Sequence, residues 1–360
     1  MTVSSAIRVL VVDDSALVRR ILSDGLARFP DIEIIGTAPD AITARDLIVE
    51  LEPDVVTLDI EMPGMDGLSL LRQIMKHRPL PVIIVSSLSP AGSAKALEAL
   101  EAGAFDVVGK PGSSFSTKDL SATLIHLIRQ ASREKHRIRV PSSSRASASV
   151  AAPSRAAHSP NGKIIIAIGA STGGTEATRE VLAALSADAP PILIVQHMPA
   201  GFTAPYAKRL NESVGMEVRE ACHGDQLHSG CAWIAPGGRH MILRGSPDHR
   251  RVELTDGPLV HFQRPSVDVL FQSVAKAAGA DAIGVLLTGM GSDGAKGLRA
   301  MKDAGAHTLA QDEATCAVFG MPRAAISEGA VDIVAPLSKI SALIEEAAAR
   351  KGGHSPTLQH

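Results

Sequence analysis

The sequence contains few cysteines, few aromatic residues, no dominant charge and no long apolar run. Its 360 residues include only 3 cysteines, too few for a disulfide framework and without a CxxC pair. Lys and Arg number 36 against 38 Asp and Glu, so nothing global indicates nucleic-acid binding. No apolar stretch reaches the ~18–20 residues of a membrane span, and the first apolar run has no signal-peptide cleavage site. We therefore expect a cytoplasmic protein without direct membrane insertion.

Small aliphatic side chains take the place of the missing aromatics. Aromatic residues make up 2% of the chain and apolar residues 45%, so the core must consist mainly of Ala, Val, Leu and Ile. This apolar fraction, with 21% charged residues, excludes a chain that is disordered throughout. Because domains usually contain roughly 100–200 residues, a chain of this length predicts two domains.

One segment lacks large apolar side chains and divides the chain. Residues 134–162 carry 5 basic residues and 1 acidic residue, a net charge of +4, between parts with net charges of −4 and −2. Such a segment buries too little surface to offset its ordering entropy, which predicts a flexible basic linker. It acts either as a tether alone or through electrostatic contact with a neighbouring domain. We expect domains at 1–133 and 163–350, and a disordered tail at 351–360.

The first half alternates between apolar runs of strand length and segments with helical spacing. Five strands that are each followed by a helix predict a parallel sheet covered on both faces. The predicted strands are 7–12, 32–37, 55–59, 81–86 and 105–110, and the predicted helices are 15–28, 40–51, 67–78, 91–102 and 118–133. In such sheets, sites form beyond the carboxyl ends of the strands. The polar residues at those ends are Asp13, Asp14, Asp59, Glu61, Ser86, Ser87 and Lys110.

This set of acids, hydroxyls and one lysine has a chemical interpretation. Crowded carboxylates repel one another unless a cation lies among them, and oxygen ligands with room for phosphate suit Mg²⁺. One carboxylate can then attack phosphorus, while a lysine pairs with the phosphoryl oxygens. The alternative is that each acid caps the helix that follows it. Their recurrence at successive strand ends favours the Mg²⁺ pocket.

The motifs VVDDS, LDIEMPGMDG, VSS and GKP resemble the response-regulator receiver domain, a flavodoxin-like (βα)5 fold, over residues 7 to about 130. The resemblance implies that a sensor histidine kinase supplies the phosphoryl group and that Asp59 receives it. It implies Mg²⁺ ligands from Asp14, Asp59 and the Glu61 backbone. It further implies an acidic partner in Asp13, the switch hydroxyl in Ser86, a phosphate-binding Lys110 and a cis Lys110–Pro111 bond.

The second half repeats the pattern and predicts a doubly wound, mostly parallel, Rossmann-like α/β domain. A buried strand at 163–169 enters the turn ASTGG, which contains Ser171. The strand 191–197 ends at His197, and Asp293 follows the strand 281–289. Ser, His and Asp at the carboxyl ends of three strands indicate nucleophilic catalysis, with a glycine-rich turn available to stabilise an oxyanion.

The residues alone leave a second interpretation open. A glycine-rich strand-to-helix turn is typical of phosphate cradles, although ASTGG matches neither GxSxG nor GxGxxG. From these residues, a catalytic triad and an anion or nucleotide site are equally supported. Four further histidines offer alternative bases, and we interpret them as loop residues: His223, His228, His240 and His261.

The motifs GASTGG, QHMP, RPSVDVLF and LLTGMGSDG resemble the catalytic domain of the chemotaxis protein-glutamate methylesterase (CheB) family. The resemblance implies Ser171 as nucleophile, His197 as general base and Asp293 as orienting carboxylate. It suggests that Thr172 and the Met290 backbone contribute to an oxyanion hole.

The implied function is a phosphorylation-activated serine hydrolase of sensory adaptation. It would demethylate glutamate γ-methyl esters, and deamidate glutamines, on the cytoplasmic helices of methyl-accepting chemoreceptors, releasing methanol. Mg²⁺ would serve receiver phosphorylation, the esterase would need no cofactor, and we expect a monomer. A reversible charge switch tethered to a hydrolase suggests that the unphosphorylated receiver restricts substrate access. One alternative is a response regulator with a non-hydrolytic anion- or nucleotide-binding output domain. A transcriptional regulator is disfavoured because residues 163–360 lack a basic recognition helix.

Overall fold

The computed structural model describes residues 6–62, 66–87, 89–110, 117–135 and 163–351. The chain divides into two compact units, Met1–Ala146 and Ser147–His360, which we call the first unit and the second unit. Almost all of the predicted linker, the predicted tail and Pro111 of the predicted cis bond lie outside the described residues. Among the described helices, none combines the length and the apolar character needed to cross a membrane.

The first unit contains a five-stranded sheet with the order β2-β1-β3-β4-β5. All neighbouring strands in it are parallel. The predicted flavodoxin-like fold is confirmed. Its strands are β1 (Ile7–Val12), β2 (Ile32–Ala38), β3 (Val55–Leu58), β4 (Val82–Ser86) and β5 (Asp106–Gly109). Its described helices are α1 (Ala16–Leu26), α2 (Ala41–Leu51), α3 (Gly67–His77), α4 (Pro90–Glu101) and α5 (Thr117–Glu134).

Side-chain caps explain where these helices begin. Ser15, Asp40, Asp66 and Ser89 each accept a hydrogen bond from a backbone N–H in the first turn of the helix that follows. Each cap satisfies a donor that has no partner inside the helix. The helices therefore start at fixed distances after the strand ends, which places the loops of the site on a rigid sheet.

The second unit contains a seven-stranded parallel sheet with the order β14-β13-β12-β6-β7-β9-β8. A separate antiparallel pair, β10 and β11, was not anticipated from the sequence. The strands are β6 (Ile165–Ala170), β7 (Ile192–Gln196), β8 (Glu217–Glu220), β9 (Cys231–Ile234), β10 (His240–Arg244), β11 (Arg251–Thr255), β12 (Ala282–Leu286), β13 (His307–Gln311) and β14 (Ile333–Ala335). The α-helices are α6 (Gly174–Ala184), α7 (Thr203–Ser213), α8 (Val267–Ala278), α9 (Ala295–Asp303), α10 (Met321–Ser327) and α11 (Leu337–Lys351).

The three strands that carry the predicted catalytic residues lie side by side at the centre of this sheet. Every residue of β6, β7 and β12 is buried, as expected for strands covered on both faces. The register pairs Ala170 with Gln196 and Gly169 with Leu286, so the three carboxyl ends are level. The loops that follow these strands therefore emerge at one edge of the sheet.

Candidate active site and phosphorylation pocket

Ser171 lies in the turn between β6 and α6. Its N–H donates to the Thr288 carbonyl (3.0 Å), and its carbonyl accepts from Gly174 N–H (2.7 Å) and Gln196 Nε2 (2.8 Å). The residue is 9% exposed. Contacts with the ends of β7 and β12 on either side hold the serine backbone in place while part of the residue stays accessible.

Two glycines allow the chain to pass this closely. Gly173 has φ +74°, and a Cβ there would lie 2.4 Å from the Ala317 Cβ. A Cβ on Gly289 would lie 2.8 Å from the Cβ of Ser171. Both distances are shorter than non-bonded carbons tolerate, and the φ of Gly173 is itself costly for a residue with a side chain. The glycines in ASTGG and LLTGMGSDG are therefore required by close packing at the serine.

His197 directly follows β7 and is hydrogen-bonded to Asp293. Its backbone N–H donates to the Ala170 carbonyl (3.0 Å), and its Nε2 lies 2.8 Å from Asp293 Oδ2. The other ring nitrogen, Nδ1, is buried without a hydrogen-bond partner in the described part of the chain. A histidine that donates from Nε2 to a carboxylate keeps a lone pair on Nδ1, which is therefore the atom able to accept a proton.

The Asp293 carboxylate occupies the N-terminus of α8. Besides the His197 ring, it accepts hydrogen bonds from Ser266 Oγ (2.8 Å), Val267 N–H (2.8 Å) and Asp268 N–H (3.0 Å). Burial raises the pKa of Asp293, but the hydrogen bond and charge of His197 and the two backbone donors outweigh it, and the net pKa is lowered. Asp293 is thus held as an anion that fixes the orientation of the histidine ring.

The motif RPSVDVLF supplies this support. Ser266 is the N-cap of α8, and its own N–H donates to His240 Nδ1 (3.2 Å). His240 is buried and is the first residue of β10, so its prediction as a loop residue was wrong. Its Nε2 bonds to the Pro258 carbonyl (2.9 Å). A serine just before a helical apolar pattern is a signal by which Ser266 could have been found. Its contact with Asp293, 27 residues away, has no signal in the sequence.

Of the two residues suggested for an oxyanion hole, one is adjacent to Ser171 in the sequence and the other comes near it from the loop after β12. Thr172 follows the serine, and its carbonyl accepts from Thr288 Oγ1 (3.0 Å). Met290 follows Gly289, the residue in contact with the serine. No hydrogen bond of the Met290 backbone N–H is seen among the described residues. Within the described part of the chain, the Met290 amide is therefore an unused donor, one residue after the glycine that packs against Ser171.

Ser171 Oγ makes no hydrogen bond within the described ranges, including to His197. Catalytic hydrogen bonds are often long before substrate binds, so this separation does not conflict with a proton transfer between the two residues. The structure brings the serine, the histidine and the aspartate to one sheet edge and joins the last two directly.

In the first unit, the predicted acidic pocket lies at the carboxyl ends of β1, β3 and β5. Asp13 and Asp59 are buried, and Lys110 Nζ lies 2.8 Å from Asp13 Oδ2 and 2.7 Å from Asp59 Oδ2. Each of Asp13, Asp14 and Asp59 has a carboxylate oxygen within 4.8 Å of the others. Glu61 N–H donates to Asp59 Oδ1 (3.1 Å).

The charges of this pocket fit a divalent cation. Three carboxylates surround one ammonium group, which leaves a negative excess. Burial raises the pKa of Asp13, and the neighbouring Asp59 charge adds to that, although Lys110 opposes it. Burial would lower the pKa of Lys110, but its bonds to Asp13 and Asp59 raise it overall. Oxygen donors with excess negative charge are the ligands that Mg²⁺ prefers.

The hydroxyls beside the pocket divide into a buried and a half-buried one. Ser86 is fully buried at the end of β4, its carbonyl accepts from Lys110 N–H (2.7 Å), and its Oγ lies 3.5 Å from the Gly92 carbonyl. Ser87 Oγ donates to Glu61 Oε2 (2.5 Å). The Glu61 side chain is thus tied to the loop after β4, while its backbone lies at the pocket.

Comparisons with known proteins agree with this division into two sites. The response regulator receiver domain family matches residues 9–123, and the CheB methylesterase family matches residues 166–344. Protein-glutamate methylesterase/protein-glutamine glutaminase 4 of Anaeromyxobacter dehalogenans is 52% identical over 352 residues, 96% of each chain. A second such protein, from Syntrophus aciditrophicus, is 52% identical over 94% of this chain and 98% of its own.

Among solved structures, the CheB methylesterase catalytic domain of Thermotoga maritima matches with a TM-score of 0.50 and 38% identity. The match covers 51% of this chain and 97% of that domain. Both halves of the chain, in this order, therefore have counterparts in relatives of the same length. The chain belongs to the CheB methylesterase family and carries a response regulator receiver domain ahead of its methylesterase domain.

Proposed function

We propose that this protein is a phosphorylation-activated protein-glutamate methylesterase. It hydrolyses γ-methyl esters of glutamate on the cytoplasmic helices of chemoreceptors and deamidates particular glutamines there. The observation that carries the proposal is the 2.8 Å bond between His197 Nε2 and Asp293 Oδ2, at the sheet edge that holds Ser171. A buried carboxylate beside the ASTGG turn disfavours the alternative anion site, because it would repel a phosphate.

In the acylation half-reaction, Ser171 Oγ attacks the ester carbonyl and His197 Nδ1 accepts the hydroxyl proton. Asp293 stabilises the imidazolium that forms and keeps the ring in one tautomer. The oxyanion of the tetrahedral intermediate receives hydrogen bonds from backbone N–H groups at the serine turn and at Met290. The intermediate collapses, and methanol leaves with the proton that His197 returns.

In the deacylation half-reaction, His197 Nδ1 accepts a proton from water, which attacks the acyl-serine carbonyl. The second tetrahedral intermediate collapses, His197 returns the proton to the leaving Ser171 Oγ, and the product is a free glutamate side chain. A glutamine substrate passes through the same acyl-enzyme, with ammonia as the leaving group instead of methanol. The same residues therefore account for both activities in the names of the relatives.

The first unit supplies the control. Asp59 accepts a phosphoryl group from a sensor histidine kinase and becomes an acyl phosphate. Asp14, Asp59 and the Glu61 backbone would hold Mg²⁺, which supplies charge neutralisation at the phosphoryl oxygens. Lys110, now paired with Asp13 and Asp59, pairs with the added phosphoryl oxygens, and Ser86 donates its hydroxyl to them. The new charge shifts the population toward the active form of the enzyme.

Methanol release tests the proposal. The full chain is incubated with a methylated receptor cytoplasmic fragment, Mg²⁺ and a small-molecule phosphodonor, and with the same mixture lacking the phosphodonor. We expect methanol in both reactions and a faster release with the phosphodonor. Unmethylated receptor is the matched control and yields none. Absence of methanol in both reactions would refute the substrate assignment.

A further inference from the structure

The segment that leads into α8 contains a tight turn in a costly conformation. Val260 and Gln263 pair through two backbone hydrogen bonds, of 3.1 Å and 2.8 Å. The two residues between them, His261 (φ 50°) and Phe262 (φ 62°), both adopt left-handed backbone conformations. A two-residue turn of this kind favours Asn and Gly, because a side chain clashes with its own backbone there. The sequence thus keeps a histidine and a phenylalanine where smaller residues would be more stable.

The same turn exposes a large apolar surface. Phe262 is 92% exposed, and the nearby Leu259 is 58% exposed. No other large apolar side chain among the described residues is as exposed as this ring. Backbone strain and an unburied aromatic ring both lower stability, and their coincidence is typical of a functional surface.

This turn is anchored to the catalytic carboxylate. His261 Nε2 lies 3.0 Å from Asp268 Oδ2, and the Asp268 N–H donates to Asp293 Oδ1 (3.0 Å). A ring nitrogen of His261 and one carboxylate oxygen each of Asp268 and Asp293 all lie within 4.8 Å of one another. Asp268 Oδ1 also accepts from Gly297 N–H (2.6 Å), which fixes it to α9. The turn therefore stands at a defined place beside the active site.

We propose that the turn 260–263 is a substrate-docking element and that Phe262, with Leu259, packs on an apolar stripe of the receptor helix that carries the ester. The inference rests on the proposed function. A γ-methyl ester offers little surface for binding, so recognition must come from contacts away from the reacting carbonyl. The continuity of the apolar turn with the active site favours the helix that presents the ester as its occupant.

Two substrates separate docking from chemistry. Phe262→Asn removes the ring and suits the left-handed backbone, so the turn is retained. Val334→Asn, at a 46% exposed position on β14, is the matched control. Methanol release is measured on the methylated receptor fragment and on a short peptide with one glutamate γ-methyl ester. We expect Phe262→Asn to lower the ratio of kcat/KM for receptor to kcat/KM for peptide about tenfold, through KM.

Four results would overturn the inference. An unchanged ratio in Phe262→Asn, or an equal fall in Val334→Asn, would show that the ring does not dock the receptor. A faster reaction of Phe262→Asn with receptor would show that the ring hinders the binding of the receptor and does not assist it. If the unsubstituted protein releases methanol from neither substrate, the proposed function itself is refuted and the docking role with it.

Discussion

A buried aspartate lies beyond the carboxyl end of a strand in each of the two units, and the surroundings of the two differ. Asp59 follows β3 and is bonded by Lys110 Nζ (2.7 Å) and Glu61 N–H (3.1 Å), with the carboxylates of Asp13 and Asp14 nearby. Asp293 follows β12 and accepts four hydrogen bonds, from one ring nitrogen, one hydroxyl and two backbone N–H groups. Asp59 thus lies beside two like charges and one ammonium group, whereas Asp293 has four donors against one neighbouring carboxylate, that of Asp268.

The difference accounts for the two chemistries that we propose for these carboxylates. A carboxylate with four donors is stabilised as an anion and is a poor nucleophile, which suits it to orienting a histidine. A carboxylate among other carboxylates needs a cation, and the cation prepares the site for a phosphoryl group. The number and charge of the donors, rather than the location, assign the role.

The largest effect is expected at the serine. If Asp293 orients His197 and does not itself attack the ester, Ser171 is the sole nucleophile. Ser171→Ala then removes the attacking atom and lowers the rate of methanol release about 10⁵-fold or more. The assay uses phosphorylated protein and methylated receptor, and the fluorescence of Trp233, the only tryptophan, checks folding of the second unit. Retained hydrolysis would mean that another group, such as the Asp293 carboxylate, attacks the ester.

Replacement of the proposed orienting carboxylate comes next. Asp293→Asn replaces one carboxylate oxygen by an NH₂ group. This group cannot accept a hydrogen bond from His197 Nε2 or from the two backbone N–H donors. The histidine then favours the wrong tautomer, and kcat falls about 10³–10⁴-fold. Asp303→Asn, on the exposed face of α9, is the matched control and keeps full activity. A loss of less than tenfold in Asp293→Asn would remove Asp293 from the mechanism.

Much of the scaffold of both sites could be predicted from the sequence. The strands β6, β7 and β12 are continuous apolar runs, and their observed bounds differ from the predicted runs by one to three residues. The predicted polar residues then follow because the carboxyl ends of parallel strands meet at one edge. The strands β8–β11 were not predicted, because each is only four or five residues long.

The contacts that assign roles could not be predicted. The bond between Ser266 and Asp293 spans 27 residues and depends on how α8 packs against the loop after β12. Which nitrogen of His197 faces the carboxylate depends on the ring orientation, and composition or spacing does not determine it. His240 was misassigned because a polar residue at the start of a short strand resembles a loop residue until its hydrogen bonds are known.

A smaller effect is expected at the phosphorylation pocket. Asp59→Asn keeps the size of the side chain but cannot form an acyl phosphate, so stimulation of methanol release by a phosphodonor is lost. Shifts of this kind usually amount to about tenfold, and basal release stays near that of the unphosphorylated protein. Asp24→Asn, at an exposed position on α1, serves as the control and retains the stimulation. Stimulation that persists in Asp59→Asn would place the phosphorylated carboxylate elsewhere.

The smallest effect concerns the sign of each unit's response to acid. The folded-state pKa of Asp293 is lowered, so its contribution to stability is present above its unfolded value and is lost as pH falls through the folded pKa. The folded-state pKa of Asp13 is raised, so its ionised form opposes folding at neutral pH, and protonation relieves this as pH falls through that pKa. The two carboxylates should therefore change stability in opposite directions.

Calorimetry without Mg²⁺ separates the two responses, because Trp233 fluorescence identifies the unfolding transition of the second unit. At pH 7 we expect Asp293→Asn to lower that Tm by a few degrees, and Asp13→Asn to raise the Tm of the first unit by less. Both differences should shrink as the pH falls, for Asp13 through its raised pKa and for Asp293 below its unfolded value, toward its lowered pKa. If Asp13→Asn instead lowered its Tm at pH 7, the ion pair with Lys110 would outweigh the crowding of like charges. Ionised carboxylates would then stabilise both units, and the two pockets would differ only in the arrangement of their donors.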